Sequence, residues 1–206
     1  MAVTNEVRGT FHFLQQENVR LTQENEHLKD EVVRLRLVLR NLGLLQDLAA
    51  HISPTTDVMQ LLDRIMQAAL DSIHADDGSL LLLDPETNEL AFVVVHGSVR
   101  ERLIGHRIPV GEGIVGWVAE NRQPVIIANA RLDKRFSPRI DKIFHFKTRS
   151  VLCVPIIHDN DVKGVIQVLN KSNRQEFNDA DMMLLNIVAQ LAGDAITNAE
   201  LLMDNA

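Results

Sequence analysis

The sequence contains one cysteine, one tryptophan and no tyrosine among its 206 residues. The single thiol, Cys153, excludes a disulfide within the chain, a cluster of cysteine metal ligands and a redox cycle between two thiols of one chain. So few aromatic side chains offer little surface on which the bases of a single-stranded nucleic acid can stack. Apolar runs such as Leu80–Leu83 and Ala91–Val95 are far shorter than the ~20 residues that a membrane-spanning helix requires. We therefore expect no nucleic-acid partner and no membrane partner.

Positive charge is also scarce, with 21 Lys and Arg against 28 Asp and Glu and a net charge of −7. An acidic chain lacks the basic face that neutralises phosphates, which again argues against a nucleic-acid partner. The 8 histidines include no pair at the i, i+3 or i, i+4 spacing of helical metal sites, so we expect no metal site. No Ser-His-Asp, paired-carboxylate or phosphate-loop arrangement stands out. These absences predict a non-catalytic chain, and the polar N-terminus and lone thiol predict a cytoplasmic one.

The first fifty residues repeat every seven residues. Leucine occupies the d positions, at Leu14, Leu21, Leu28, Leu35 and Leu42. The a positions are Phe11, Asn18, Asn25, Val32 and Leu39. Leucine at d favours a two-stranded parallel coiled coil, and asparagine at a specifies dimer and register. We predict a flexible N-terminus over residues 1–10 and a long parallel, dimeric coiled coil over residues 11–50. The alternative is a single amphipathic helix packed on its own domain.

Ser53-Pro54 ends the heptad pattern, and we assign residues 53–203 to a separate domain. Six segments have the apolar pattern of strands and are bounded by turn residues: Ser79–Asp84, Glu89–His96, Arg107–Val110, Pro124–Ala128, Ser150–His158 and Val162–Asn170. Helices are predicted over residues 57–73, over Ile114–Asn121, from Ser137-Pro138 onward, and from an Asn178 cap to about Leu202. Strands joined as hairpins, with helices between them and at both ends, predict an α+β domain on an antiparallel sheet.

The last predicted helix has two apolar faces. One contains Leu184, Val188, Leu191, Ala195 and Leu202, and the other contains Leu185, Ile187, Ala192 and Ile196. One face can cover the sheet while the other contacts a second subunit. We therefore expect a homodimer held by the coiled coil and by the terminal helices.

Three segments resemble the GAF domain family: Gly113-Ile114-Val115-Gly116-Trp117-Val118-Ala119, Ser150-Val151-Leu152-Cys153-Val154-Pro155-Ile156 and Gly164-Val165-Ile166-Gln167-Val168-Leu169-Asn170-Lys171. The resemblance covers Ser53 to Leu202. It implies a GAF/PAS-like fold, in which a six-stranded antiparallel sheet has flanking helices and a small-molecule pocket. It also implies a regulatory sensor for signal transduction that helices connect to a separate output domain or partner.

One subset of the family, in cyclic-nucleotide phosphodiesterases and cyclases, binds cAMP or cGMP and has a motif that this chain matches at Asn170, Lys171, Phe177 and Asp181. Met182 replaces the Glu of that motif, and the resemblance implies a structural clasp between Lys171 and Asp181. Pocket positions implied by the resemblance are Ser79, Ile114, Val115, Thr148 and Gln167, with Val95-His96 where such members have Phe and Asp.

The basic segment Arg131–Lys147 permits two interpretations. In one interpretation the segment is a lid over the pocket whose positive charge attracts an anionic ligand. In the other it is a surface loop whose charged side chains are solvated. Phe136, Phe144 and Phe146 in this segment are expected to form apolar pocket walls.

Three functional hypotheses follow. The first is a non-catalytic sensor that binds a small molecule, with cAMP and cGMP as candidates, and regulates an output partner that the sequence does not identify. The second is a dimerisation module without a ligand. The third is an enzyme similar to the free methionine-(R)-sulfoxide reductases of this family, which Cys153 argues against because those enzymes use several cysteines.

Overall fold

The computed structural model describes residues 15–29, 32, 58–172 and 175–204. The chain divides into two units, Met1–Ala49 and Ala50–Ala206. In the first unit, residues 15–29 are helical, and the d-position side chains of Leu21 and Leu28 are 54% and 52% exposed. The coiled-coil pairing stays a prediction, and several of its positions lie outside the described residues: Phe11, Leu14, Leu35, Leu39, Leu42 and the Ser53-Pro54 break.

The second unit contains a six-stranded antiparallel sheet with helices, which confirms the predicted α+β class. Its helices are α1 (Val58–Ile73), α2 (Arg100–Leu103), α3 (Gly113–Asn121), α4 (Arg139–Phe144) and α5 (Asp179–Asp204). Its strands are β1 (Asp77–Asp84), β2 (Glu89–His96), β3 (Arg107–Pro109), β4 (Val125–Ile127), β5 (Val151–His158) and β6 (Asp161–Leu169). The strand order is β3-β2-β1-β6-β5-β4, and every neighbouring pair is antiparallel.

Each predicted strand lies within two residues of an observed one, because alternation and turn residues are local signals. Asp159 and Asn160 close the β5–β6 hairpin with φ of 47° and 66°, the conformation of a two-residue type I′ turn. Helix α2 and the 3-10 turn Ala130–Leu132 were not predicted, since elements of three or four residues are too short to show a helical period.

Helices α1 and α5 pack on each other and on one face of the sheet. The buried side of α1 consists of Leu62, Ile65, Met66, Ala69, Leu70 and Ile73. Val58 and Leu61, near the start of α1, are only half-buried. No helix within the described residues has the length and apolar character that a membrane crossing requires.

The reciprocal bonds of a capping box start α5. Asn178 Oδ1 accepts from the Asp181 N–H at 3.0 Å, and Asp181 Oδ2 accepts from the Asn178 N–H at 3.0 Å. This confirms Asn178 as the cap. Buried side chains of α5 come from both predicted faces, Leu185 and Ile196 from one and Val188 and Leu191 from the other, so the two faces are not separate. Met183 and Leu202 are exposed. Contact with a second subunit stays a prediction.

The opposite face of the sheet is covered by α2, α3, α4 and the connecting segments. Ser79 and Leu81 of β1, two residues apart, both point to this face. A bulge in the β1–β2 pairing interrupts the alternation of β2 and brings both Phe92 and Val95 to the same face. Phe92 of β2, Val165 of β6 and residues of α3 form an apolar cluster here. The helical covering on this side is short and discontinuous, which leaves a cavity.

Candidate functional site

A cavity of about 100 Å³ lies between this face of the sheet and the segments over residues 96–115 and 136–148. It has room for several water molecules or the core of a small ligand. All nine residues predicted for a ligand site line it: Ser79, Val95, His96, Ile114, Val115, Phe136, Phe144, Thr148 and Gln167. The structure therefore brings the predicted set together, and ligand binding by these residues stays a prediction.

The cavity floor is polar at one point. Ser79 and Gln167 are register partners on neighbouring strands β1 and β6, and Gln167 Nε2 donates to Ser79 Oγ at 2.8 Å. The Ser79 hydroxyl hydrogen remains available to donate. Within the part of the chain that the structure describes, Gln167 Oε1 has no hydrogen-bond donor. The floor thus presents a donor beside an acceptor among apolar side chains.

Thr148 is held in the cavity wall by a carboxylate that the sequence analysis did not single out. Its hydroxyl donates to Asp141 Oδ1 at 2.7 Å, and its backbone N–H donates to Asp141 Oδ2 at 3.0 Å. Arg131 Nη2 adds a third hydrogen bond to Oδ2 at 3.3 Å. Because the Thr148 hydroxyl hydrogen is already used, only its oxygen lone pairs can meet a ligand. Seven residues separate Asp141 from Thr148, and only the fold around α4 joins them.

Aromatic rings form one side of the cavity. The His106 ring meets Phe144 edge-on, with centroids 5.7 Å apart, and lies tilted to Phe92 at 6.5 Å. Phe136 and Phe146 also line the cavity, as expected for apolar walls. Phe92 was not among the predicted pocket residues; it lies on β2, three residues before Val95, the position at which cyclic-nucleotide-binding members have Phe.

Charges around the cavity are partly compensated. In the basic segment, three of six cations pair with acids: Arg131 with Asp141, Arg135 with Asp133, and Arg139 with Glu112. Arg135 also lies over the Trp117 ring, 4.4 Å from its centroid. These pairs partly neutralise the segment, and both interpretations of it, the anion-attracting lid and the solvated loop face, stay open.

Two lining residues carry further electrostatic features. Burial raises the pKa of Asp77, as does the neighbouring Asp76 carboxylate, while the Ser98 N–H opposes the rise. His96 Nε2 lies 3.2 Å from Asp63 Oδ1 on α1, but it is buried and lacks an aligned hydrogen-bond partner among the described residues. Nowhere in those residues do three His, Cys, Asp or Glu side chains lie together as they would around a metal ion.

The predicted clasp lies outside the cavity. Lys171 Nζ donates to Asp181 Oδ2 at 2.5 Å and lies 6.0 Å from the Phe177 ring centroid. The Asn170 side chain donates to Lys147 O and accepts from the Arg149 N–H. None of the four clasp residues lines the cavity. Their contacts join β6 to the start of α5 and to the segment before β5.

Cys153 is fully buried on β5, and burial raises the pKa of its thiol. It belongs to the apolar cluster on the cavity side, yet it does not line the cavity. A buried, protonated thiol is a weak nucleophile.

A model of the GAF domain matches residues 57–196 of the chain. The dual 3',5'-cyclic-AMP and -GMP phosphodiesterase 11A of Takifugu rubripes is 35% identical over 167 residues, which are 75% of this chain and 18% of that protein. The corresponding phosphodiesterase 11 of Drosophila melanogaster is 33% identical over 172 residues, covering 77% of this chain and 12% of the relative. The chain thus spans less than a fifth of these curated relatives.

Solved structures agree in fold. The GAF domain of an Acinetobacter phosphoenolpyruvate-protein phosphotransferase superposes with a TM-score of 0.65 at 24% identity, covering 80% of this chain and 98% of that one. A free methionine-R-sulfoxide reductase from Neisseria meningitidis superposes with a TM-score of 0.63 at 16% identity, covering 82% and 90%. At such identities the superpositions establish the fold alone.

Proposed function

The chain belongs to the GAF domain family, and from this premise we propose that it is a non-catalytic sensor whose cavity binds a small planar molecule, with cAMP and cGMP as the first candidates. The observation that carries the proposal is the donor–acceptor pair of Ser79 and Gln167 on the floor of an otherwise apolar cavity. Pockets for small molecules combine apolar walls with a few placed polar groups in this way.

A purine base suits this floor. A glutamine amide pairs with the adjacent donor and acceptor of an adenine edge, and a neighbouring hydroxyl can donate to or accept from either purine. The Phe92 and Phe144 rings offer apolar surface for the base. Distant homology to the GAF domains of cyclic-nucleotide phosphodiesterases supports the same ligand class.

The phosphate has a less complete site. Both arginines that line the cavity are paired, Arg107 with Asp84 and Arg139 with Glu112. A cyclic phosphate would therefore rest on the backbone N–H groups that begin α3, near Gly113 and Ile114, where the helix dipole favours negative charge. An uncharged planar ligand would not need that contact.

A non-catalytic role is supported by the thiol. The one cysteine of the chain is buried away from the cavity, and a raised pKa keeps it protonated. Reductase chemistry on this fold would need an accessible thiolate. The prediction that the chain is not an enzyme rests on this argument.

We also propose that the sensor acts as a cytoplasmic homodimer on a separate output domain or protein. Leu21 and Leu28 are more than half exposed in the isolated chain, as are Leu201 and Leu202 near the end of α5. Because these side chains are already about half buried, burying the rest against a second copy would recover about 1 kcal/mol for each leucine.

Thermal unfolding with added nucleotide tests the ligand. Saturation at a hundred times Kd stabilises the folded state by about 2.7 kcal/mol, which raises Tm by about 5–11 °C in a domain of this size. We expect cAMP or cGMP to produce this rise, and 5'-GMP serves as the acyclic control. Gln167→Leu should abolish it, whereas Gln123→Leu, at an exposed position away from the cavity, should not.

A second candidate is a dimerisation module with no ligand. The absence of an unpaired arginine among the residues that line the cavity favours it. In that case neither cyclic nucleotide would raise Tm at millimolar concentration, and sedimentation would still give a dimer. Sedimentation of a monomer at micromolar concentration would contradict both candidates.

A further inference from the structure

We propose that Asp63 on α1 couples the cavity to the terminal helices, because one of its carboxylate oxygens accepts a hydrogen bond from an arginine of α2 and lies within reach of a cavity-wall histidine. The inference rests on the proposed function and concerns its regulation. His96 ends β2 and lines the cavity, and its Nε2 lies 3.2 Å from Asp63 Oδ1. Arg100 Nη2 donates to the same Oδ1 from the other side at 3.3 Å.

The histidine nitrogen is the movable end of this contact. Nε2 is buried and has no aligned hydrogen-bond partner in the described part of the chain, although a carboxylate oxygen lies within reach. A buried polar atom left in this condition gains from any rotation that completes a hydrogen bond. Either a small turn toward Asp63 or a bond to a molecule in the cavity would do so, and the two compete.

Arg100 connects the same oxygen to the cavity covering. It begins α2, and Leu103 at the other end of α2 is a buried residue of the cavity wall. Arg102, also on α2, lies over the Phe144 ring at 5.5 Å and donates to Ile143 O at 3.4 Å. Helix α2 is thus attached to α1 at one end and to α4 at the other.

The turn between His96 and α2 is anchored at its base. Gly97 has φ of 109°, and a side chain there would collide with the Asp77 carboxylate, because an added Cβ would lie 2.2 Å from Oδ1. Asp77 also accepts the Ser98 N–H. With the turn anchored at the sheet, a shift of the His96 ring or of α2 is passed mainly to Asp63.

Asp63 lies in the second turn of α1, and α1 packs against α5 and the sheet. The side-chain exposure increases outward, from 11% for His96 to 36% for Asp63 and 52% for Arg100. A ligand that bonds to His96 would leave Asp63 with Arg100 alone, and this changes the restraint on α1. Coupling of this kind requires a contact with two arrangements that the ligand biases.

Amide hydrogen exchange of α1, followed in peptides over residues 58–73, tests the coupling without a ligand. We expect His96→Gln to change α1 exchange at least about twofold in the wild-type background and to cause no further change in an Asp63→Asn background. Asp71→Asn is the matched control, because Asp71 lies on α1 but bonds only to Gln67 of the same helix. In that background the effect of His96→Gln should persist in full.

If His96→Gln unfolds the domain, Arg100→Gln serves as the second variant. The Arg100 side chain is exposed, so we expect the domain to remain folded without it. The same dependence on Asp63 is expected. Equal effects of either substitution in the Asp63→Asn and Asp71→Asn backgrounds would overturn the proposal, because the sites would then be independent.

The same exchange experiment is then repeated with added cGMP or cAMP. If one of them raises Tm, we expect it to change α1 exchange in the wild type and in Asp71→Asn but not in Asp63→Asn, with binding retained within about threefold. Unaltered transmission in Asp63→Asn would overturn the coupling while leaving the ligand site intact. If neither nucleotide binds, the cyclic-nucleotide assignment fails, and the ligand-free variants still decide the coupling.

Discussion

The pair formed by Lys171 and Asp181 predicts a specific loss of stability when one charge is removed. Lys171 follows β6, and Asp181 lies in the first turn of α5, so the contact joins the sheet to the last helix. The side chains are only 9% and 12% exposed. Lys171→Met keeps most of the apolar stem against Phe177 and removes the ammonium group.

The magnitude follows from the burial of the carboxylate that remains. Breaking a buried ion pair on one side costs about 3–5 kcal/mol, since the other charge is left without a partner. In the variant, Asp181 Oδ2 still accepts a hydrogen bond from the Asn178 N–H at 3.0 Å. We therefore expect the loss of unfolding free energy to lie near the lower limit, at about 3 kcal/mol. The matched control is Lys163→Met. Its pair with Glu200 spans 2.7 Å and also reaches α5, but Glu200 is half exposed, and such pairs contribute about 0–1 kcal/mol.

Equilibrium unfolding in urea measures both variants. With a slope of about 2 kcal/mol per molar urea, Lys171→Met should lower the midpoint by about 1.5 M and Lys163→Met by less than about 0.5 M. The double variant Lys171→Met/Asp181→Leu should recover part of the loss, because no buried charge remains. Equal midpoint shifts for the two single variants would refute the reasoning. A fall in nucleotide affinity in Lys171→Met would also contradict the assignment of this pair as a structural clasp.

Three further predictions concern other parts of the domain. Gly164→Ala should cost about 1–3 kcal/mol, because the added Cβ would lie 2.1 Å from Leu81 O on β1. Each kcal/mol lost should lower Tm by about 2–4 °C, and an unchanged melting curve would contradict this prediction. The Arg107 guanidinium lowers the pKa of Asp84 from 3.8 to about 2, so this contact stabilises the fold above pH 4 and its contribution is lost as the pH falls toward 2. The stability of Asp84→Asn should therefore not show this loss as the pH falls from 4 toward 2. An unfolding curve parallel to that of the wild type would exclude a contribution from the contact. Cys153 should react with iodoacetamide only after denaturation, and rapid labelling of the folded domain would show that the thiol is accessible.

The sequence was sufficient for the local structure of the second unit. The strand β2 was predicted over Glu89–His96 and is observed there, since alternation of buried and exposed residues needs no knowledge of partners. Asn178 was identified as a cap because capping acts within one helical turn. The four-residue helix α2 escaped detection, because its helicity depends on Leu103 entering a core assembled from other segments.

The candidate site likewise contains residues that could be predicted from the sequence and residues that could not. Its predicted residues came from motif positions, and these line one cavity. The groups that govern their chemistry were missed. Asp141 uses the hydroxyl hydrogen of Thr148, Phe92 supplies an aromatic wall from an unexpected position, and the partner of His96 lies 33 residues earlier on a helix.

The heptad pattern, the order of the six strands and the family could be predicted from the sequence, because each depends on the spacing of residues along the chain. Which charges are neutralised and which polar atoms remain free inside the cavity depends on how the chain folds. Arg139 belongs to a basic segment that the sequence left open to two interpretations, and it is paired with Glu112, whereas Gln167 donates to Ser79 on the cavity floor. Charge compensation and hydrogen bonding act over a few ångströms in space between residues far apart in sequence, so no local pattern encodes them.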